Sequence, residues 1–304
     1  MKENLLVSII INNYNYGRFL GEAIDSALNQ TYLHTEVIVV DDGSTDDSRE
    51  IIANYGNKII SVLKENGGQA SAFNAGFAAS QGDIICFLDS DDNFLPEKVE
   101  EIVEVFRCYP DIGWCFHFIK LLDNNRRIFI KQSHESSSQK WDLISQIKSG
   151  RKLPYIPTAT SGLCFTRSIL NQILPMPEAS NVIISDNYLK FTAIGLSIGY
   201  FLNKELAIQK IHGNNAYTLM KDKQKIDAKI CLNTAYWIRV KFPELSSFAN
   251  ALFVSGMAIY LRTGGIELEQ REVVNKYFSF VPLLERLKIQ SRAFYRSLRP
   301  REYS

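Results

Sequence analysis

The first half of the chain repeats one pattern: a short apolar run, a polar turn, then apolar residues spaced along one face of a helix. Residues 5–11 read as a first strand, Phe19, Leu20, Ala23, Ile24, Ala27 and Leu28 recur at helical spacing, and residues 36–40 read as a second strand. Residues 59–63 follow as a third strand, 69–80 as a helix opening after Gly67-Gly68, and 83–88 as a fourth strand. Runs this apolar must be covered on both faces, and the intervening helices supply the crossovers that parallel strands require. The predicted class is therefore α/β, a mostly parallel sheet with helices on both faces.

The turns that end these strands point to a site. In open α/β sheets ligands bind outside the carboxyl ends of the strands, so Asn12-Asn13-Tyr14-Asn15, Asp41-Asp42-Gly43-Ser44 and Asp89-Ser90-Asp91-Asp92 should converge. Clustered acids repel one another and lose solvation unless a cation neutralises them. Mg²⁺ or Mn²⁺ prefers oxygen ligands and leaves positions for phosphates, so the last turn reads as a metal-diphosphate site. An isolated acidic run of this kind would more simply be a solvated loop or a helix cap.

Composition sets the outer limits. The 304 residues, 46% of them hydrophobic, suffice for one large domain with an appendage. Thirty-four Lys and Arg against 33 Asp and Glu leave a net charge of +1, which gives no general reason to expect a nucleic-acid partner. The cysteines, Cys86, Cys108, Cys115, Cys164 and Cys231, are odd in number and form no CxxC pair. They read as reduced residues of a cytoplasmic protein. No secretory signal is visible before the first strand, and the apolar stretch 245–261, carrying Asn250 and Gly256, falls short of the roughly 20 residues of a membrane span and reads as a buried helix.

Four segments in order resemble the inverting GT-A glycosyltransferases of family two, which transfer sugars from nucleotide diphosphate donors. They are Ser8-Ile9-Ile10-Ile11-Asn12-Asn13-Tyr14-Asn15, Val39-Val40-Asp41-Asp42-Gly43-Ser44-Thr45-Asp46, Asn66-Gly67-Gly68-Gln69-Ala70-Ser71-Ala72-Phe73-Asn74-Ala75-Gly76, and Gly82-Asp83 leading to Asp89-Ser90-Asp91-Asp92. The resemblance implies a nucleotide pocket lined by Asn12, Tyr14 and Asn15. Asp41, or else Asp42, would accept a hydrogen bond from the base, an acceptor that suits the N3–H of uracil. One of the two acids could instead cap the helix after Ser44. Gln69 would touch base or ribose, or be an exposed first residue of a helix, and Asn74 falls in the same donor segment. Phe73 stands where relatives often carry Arg, so the phosphates lack one cation. Asp89 and Ser90 are assigned to the ribose and metal environment, and Asp91 to the cation itself, Mn²⁺ or Mg²⁺.

The second half is expected to supply a base and an acceptor pocket. Ile184-Ser185-Asp186-Asn187-Tyr188 matches the family's acidic helix start, which makes Asp186 the candidate base, with Ser185 where Glu is common. Asp186 also suits a helix N-cap, and the two roles are compatible. Gln209-Lys210-Ile211-His212-Gly213-Asn214-Asn215 resembles the segment whose His reaches the metal or diphosphate, making His212 a candidate ligand and Lys210 a candidate phosphate contact. Trp114, Phe116 and His117 would line an acceptor pocket or belong to the core of a strand. The implied partners are a nucleotide-sugar donor and a glycan or lipid-linked acceptor.

The predicted division is a GT-A domain over 1–215 and a helical appendage over 216–304. In the appendage, Leu283, Leu284, Leu287, Phe294 and Leu298 recur at helical spacing among Arg286, Lys288, Arg292, Arg296, Arg299 and Arg301. Such a helix either docks its apolar stripe on the catalytic domain or lies on an anionic membrane at the cytoplasmic face. Two other classes compete. A nucleotide-sugar-binding protein without transferase activity would keep the donor motifs and could lose the base. A haloacid-dehalogenase-type phosphatase also carries DxD at a strand end, but after its first strand, where this chain has Asn12-Asn13.

Overall fold

The computed structural model describes residues 4–123, 128–130, 137–178, 186–212 and 223–299. Ser185, residues 131–136, residues 213–215 and Arg301 lie outside the described residues. The chain divides into two compact units: Met1–Asp142, Tyr155–Ser180 and Leu196–His212 form the first, and Leu143–Pro154, Asn181–Gly195 and Gly213–Ser304 the second.

The first unit is built on one sheet. In chain order its elements are β1 (Val7–Asn13), α1 (Gly17–Leu28), β2 (Thr35–Asp42), α2 (Ser48–Asn54), β3 (Ile60–Lys64), α3 (Gln69–Ala79), β4 (Ile84–Asp89), β5 (Asp92–Phe94), α4 (Lys98–Cys108), β6 (Trp114–Asp123), β7 (Ile128–Ile130) and β8 (Gln139–Trp141). After α5 (Ile144–Lys148), which belongs to the second unit, come β9 (Leu163–Thr166) and α6 (Arg167–Ile173). Then α7 (Asp186–Leu196) precedes the long closing strand β10 (Gly199–Ile211). The sheet order is β3-β2-β1-β4-β9-β6-β10-β5, with β7 on β6 and β8 on β10. The β3-β2-β1-β4 half is parallel, as the apolar runs predict, whereas β9 runs antiparallel to both β4 and β6, and β5 antiparallel to β10. Val7, Ile9, Ile11, Val37, Val39, Ile84, Cys86 and Leu88 form one buried face with Leu20, Ala23, Ile24 and Ala27 of α1 and Val99, Ile102 and Val103 of α4. Trp114, Phe116 and His117 are fully buried, so of the two readings left open by the sequence the core applies. Burial and the nearby Lys98 ammonium push the His117 imidazole down to about 3, leaving it neutral.

The second unit gathers α8 (Lys223–Lys241), α9 (Ser246–Arg262), α10 (Leu268–Ser279) and α11 (Leu283–Leu298). Its core joins Ala228, Leu232 and Ala235 of α8, Phe253, Met257 and Tyr260 of α9, Val274, Tyr277 and Phe278 of α10, and Ile289 and Ala293 of α11. Phe253 and Tyr277 stack at 3.8 Å between ring centroids. The two earlier segments join this unit through close contacts: a Cβ on Gly150 would meet the Ser247 carbonyl oxygen at 2.6 Å, and Phe191 meets Phe248 at 5.0 Å between ring centroids. With its preceding turn, α9 is longer than the sequence pattern suggested. Pro243–Arg262 reaches 20 residues at mean hydropathy 1.2, enough by length and composition to cross a membrane, and 50% of the window is buried among its neighbours. Phe253, Met257 and Tyr260 point that buried side into the unit's own core.

Candidate functional site

The mouth of the sheet is organised by two consecutive asparagines at the end of β1. The register sets Asn12 opposite Asp89 on β4 and Asn13 opposite Asp41 on β2. Asn12 Nδ2 donates to Asp89 Oδ1 at 3.1 Å, and Asn13 Nδ2 donates to Asp41 Oδ1 at 3.1 Å. The three strand-end turns thus converge.

Asp41 is fully buried and its oxygens are engaged: besides Asn13, Oδ2 accepts from the Ser44 amide at 3.1 Å and from Arg49 Nε at 2.8 Å. Burial would raise its pKa, but the bonds from Ser44, Arg49 and Asn13 outweigh that and hold the carboxyl below its ordinary 3.8. Asp42 turns to the other loop. It pairs with Lys64 at 2.6 Å and accepts the amides of Gly67 and Gly68 at 3.0 and 2.7 Å. Neither acid caps α2. Asp46 accepts instead from the Ser48 amide at 3.1 Å and the Gly17 amide at 2.9 Å. Asn15 takes the left-handed conformation, φ 58°, which asparagine tolerates, and its side chain receives the Thr45 amide at 2.7 Å while its own amide donates to Ser44 Oγ at 2.9 Å. Tyr14, beside it, is exposed.

The acidic turn is held from below by Ser161, which precedes β9. Its hydroxyl accepts from the Asp89 amide at 3.1 Å and donates to Asp92 Oδ2 at 2.6 Å. Burial first, then the charges of Asp91 and Asp89, push Asp92 well above the usual carboxylate range; Ser161 and Lys210 counter only in part. Ser90 is buried alongside. Asp91 meets His212 Nε2 at 3.2 Å, and the imidazole stacks on Phe19 at 4.3 Å, so the two predicted metal residues are neighbours. Lys210 pairs with Glu22 at 2.5 Å. Gln69 is the partly exposed first residue of α3. Asn74 clasps the segment after α6: Nδ2 donates to the Met176 carbonyl at 2.9 Å and to Glu178, and Oδ1 accepts the Met176 amide at 2.7 Å. Phe73 is fully buried, its ring 4.6 Å from that of Phe87. Asp186 opens α7 in the second unit and is partly buried.

Carboxylate oxygens and one imidazole are donors that Mn²⁺ or Mg²⁺ accepts. Among the described residues no group of three or more His, Cys, Asp or Glu side chains could hold a metal ion. Asn12 Oδ1, Asn13 Oδ1 and Asp92 Oδ1 are buried without a hydrogen-bond partner among the described residues. Such a donor set fits a cation carried by one or two side chains together with substrate phosphates, and does not fit an all-protein cage.

Arg49, Lys64 and Ser44 were not singled out in the sequence as partners of the two acids. Lys64 carried a signal, because it ends the strand next to the one Asp42 ends, in register with it. Ser161 carried none, lying 72 residues from Asp89 and 69 from Asp92 of the turn it supports.

A family model described as Glycosyl transferase family 2 matches residues 8–186. An uncharacterized glycosyltransferase of Nostoc sp. is 37% identical over 214 residues, covering 69% of this chain and 66% of that protein. Chondroitin synthase of Pasteurella multocida is 31% identical over 232 residues, 75% of this chain but 23% of its own length. Among solved structures, the S. aureus TarS fragment 1–349 in complex with UDP-GlcNAc superposes with a TM-score of 0.67 at 18% identity, covering 96% of this chain and 89% of that one. The mannosyltransferase PcManGT from Pyrobaculum calidifontis, in complex with GDP-Man and Mn²⁺, superposes with a TM-score of 0.51 at 14% identity, covering 98% and 87%. Fold and mouth together define a GT-A architecture with a helical C-terminal region. The chain belongs to glycosyltransferase family 2 and is a glycosyltransferase.

Proposed function

We propose that this enzyme moves a sugar, with inversion, from a nucleoside diphosphate donor to a hydroxyl of a glycan or lipid-linked glycan, UDP-sugar being the donor class. The observation that carries this reading is the double asparagine lock, Asn12 on Asp89 and Asn13 on Asp41, which brings nucleotide-side and acid-side turns to one mouth in a family 2 chain. Asp41 and Asp42 are held as acceptors at the end of β2, next to the turn that carries Tyr14 and Asn15. Either could present a lone pair to a base while keeping its protein donors, since each carboxylate has about four lone-pair sites. Asp89 and Ser90 would face the ribose side, with Gln69 at the entrance, and Lys210 would lend charge to phosphate.

Asp91 and His212 would hold Mn²⁺ or Mg²⁺ jointly with the diphosphate. Bound there, the cation would stabilise negative charge on the leaving nucleoside diphosphate. Asp186 takes the acceptor hydroxyl proton as that oxygen bonds to the anomeric carbon and the carbon–oxygen bond to the diphosphate breaks on the opposite face. The electron pair of the broken bond leaves with the nucleotide, and because the acceptor oxygen itself attacks the anomeric carbon, no covalent enzyme intermediate forms. The chondroitin synthase likeness favours a polysaccharide product. The five free cysteines suit a reducing cytoplasm.

The experiment is calorimetric titration of UDP, GDP, CDP and dTDP, with and without Mn²⁺, on the wild type and Asp91→Ala. One nucleotide is expected to bind in a metal-dependent way that Asp91→Ala abolishes. Binding of none of the four would sink the donor assignment. In parallel, Asp186→Asn should keep nucleotide affinity and lose turnover by about a hundredfold or more; unchanged turnover would remove Asp186 from the chemistry.

A further inference from the structure

Helix α11 carries two apolar faces, and only the smaller one is used inside the unit. Ile289 and Ala293 are buried against the core that α9 contributes, which fixes the helix's inner side. Rotating by 3.6 residues per turn, Leu283, Leu287, Phe294 and Leu298 fall together on the opposite side, with Leu284 and Tyr295 next to them. These side chains are left in solvent, Leu283 at 70%, Leu284 at 75%, Phe294 at 60% and Leu298 at 67% exposure. The expectation that the leucine stripe docks on the protein is therefore overturned; docking is done by Ile289 and Ala293. An exposed apolar stripe of this length is an interaction surface.

Charge identifies the occupant. Lys288, Arg292 and Arg299 line one border of the stripe and are exposed. The helix's one acid, Glu285, is turned inward to Asn250 and Arg239. Tyr295, at the basic border, packs under the Arg299 guanidinium at 4.5 Å, an arrangement of ring and cation suited to a headgroup layer. Two copies meeting through the stripe would bring these cationic borders together, whereas an anionic lipid surface neutralises them. We propose that α11 lies in the plane of an anionic lipid bilayer, with Leu283, Leu287, Phe294 and Leu298 in the acyl boundary and Lys288, Arg292 and Arg299 at the headgroups. The proposal concerns a surface of the second unit and stands whether or not the donor assignment holds.

The test is co-sedimentation of the full chain with vesicles of phosphatidylcholine alone and of an equimolar mixture of phosphatidylcholine and phosphatidylglycerol. Wild type should bind the mixed vesicles, release with added salt, and bind phosphatidylcholine weakly. Leu287→Glu with Phe294→Glu should lower partitioning by at least about tenfold, and Lys288→Ala with Arg292→Ala by about fivefold for each charge removed. None of these side chains enters the core, so melting temperature and UDP titration should match wild type and certify the fold. Absence of wild-type binding, or binding that the leucine and phenylalanine substitutions leave intact, overturns the proposal. So does a concentration-dependent dimer that Leu287→Glu dissolves without any lipid affinity, which would assign the stripe to a second copy.

Discussion

Asp41 and Asp42 are adjacent in sequence yet secure different loops, and this separates their predicted phenotypes. The Asp41 carboxyl sits below its ordinary 3.8, so its ionised form stabilises the fold above that pH, and the contribution is lost as pH falls through the lower folded value. Asp41→Asn should therefore be less stable than wild type at neutrality, and the gap should close in acid, measured by urea denaturation at neutral pH and below 3.8. A gap that persists in acid would mean that Asp41 acts by shape alone. Asp42→Ala leaves the Gly67 and Gly68 amides without their acceptor and removes the Lys64 carboxylate partner, Lys64 keeping only the Glu65 carbonyl, and should cost about 2–3 kcal/mol, seen as a shift in the same denaturation midpoint. At this scale the sequence disclosed the acids and asparagines of the mouth, because residue type and strand-end position suffice to place them. It did not disclose Arg49 or Ser161, whose roles depend on where a turn aims a side chain.

Helix α3 shows how an element can read one way in sequence and act another way in place. A Cβ on Gly76 would stand 2.4 Å from Ile10 Cγ2 and 3.1 Å from Val40 Cγ2, so this glycine lets the helix approach β1 and β2. Gly76→Ala should destabilise by about 1–3 kcal/mol despite alanine's better helix propensity, read as a lowered denaturation midpoint; a stabilised variant would refute the close approach. Asn74, expected in the donor segment, uses both ends of its amide on Met176. Asn74→Ala should speed hydrogen exchange at the Met176 amide, and unchanged exchange would show that other contacts hold that segment. Strands β1, β2 and β4 were legible because each is built on a run of consecutive apolar residues and ends in a polar turn. β5 spans three residues, and β10 changes register around Leu202 and Glu205, so neither keeps a period long enough to read.

Each of the two units is assembled from segments far apart in sequence, with 143–154 and 186–195 grouped with the C-terminal helices. Hydrophobic pattern located those helices but not their partners, because periodicity marks an apolar face without saying what covers it. Phe253→Ala, emptying the centre of the second unit's core, should cost about 3–5 kcal/mol in that unit while UDP affinity stays near wild type, compared by denaturation and calorimetry. Loss of both would tie the two units into one cooperative block. The sheet order also sets a timetable for synthesis. The strands β3-β2-β1-β4 emerge from a ribosome in one stretch and can pair at once, but β5, which follows the acidic turn, pairs only with β10, made over a hundred residues later. Until β10 is made, a nascent chain carries the acidic turn without the antiparallel partner of β5, and a chain cut between β4 and β10 holds the β3-β2-β1-β4 strands but not the strand that closes the sheet beyond that turn.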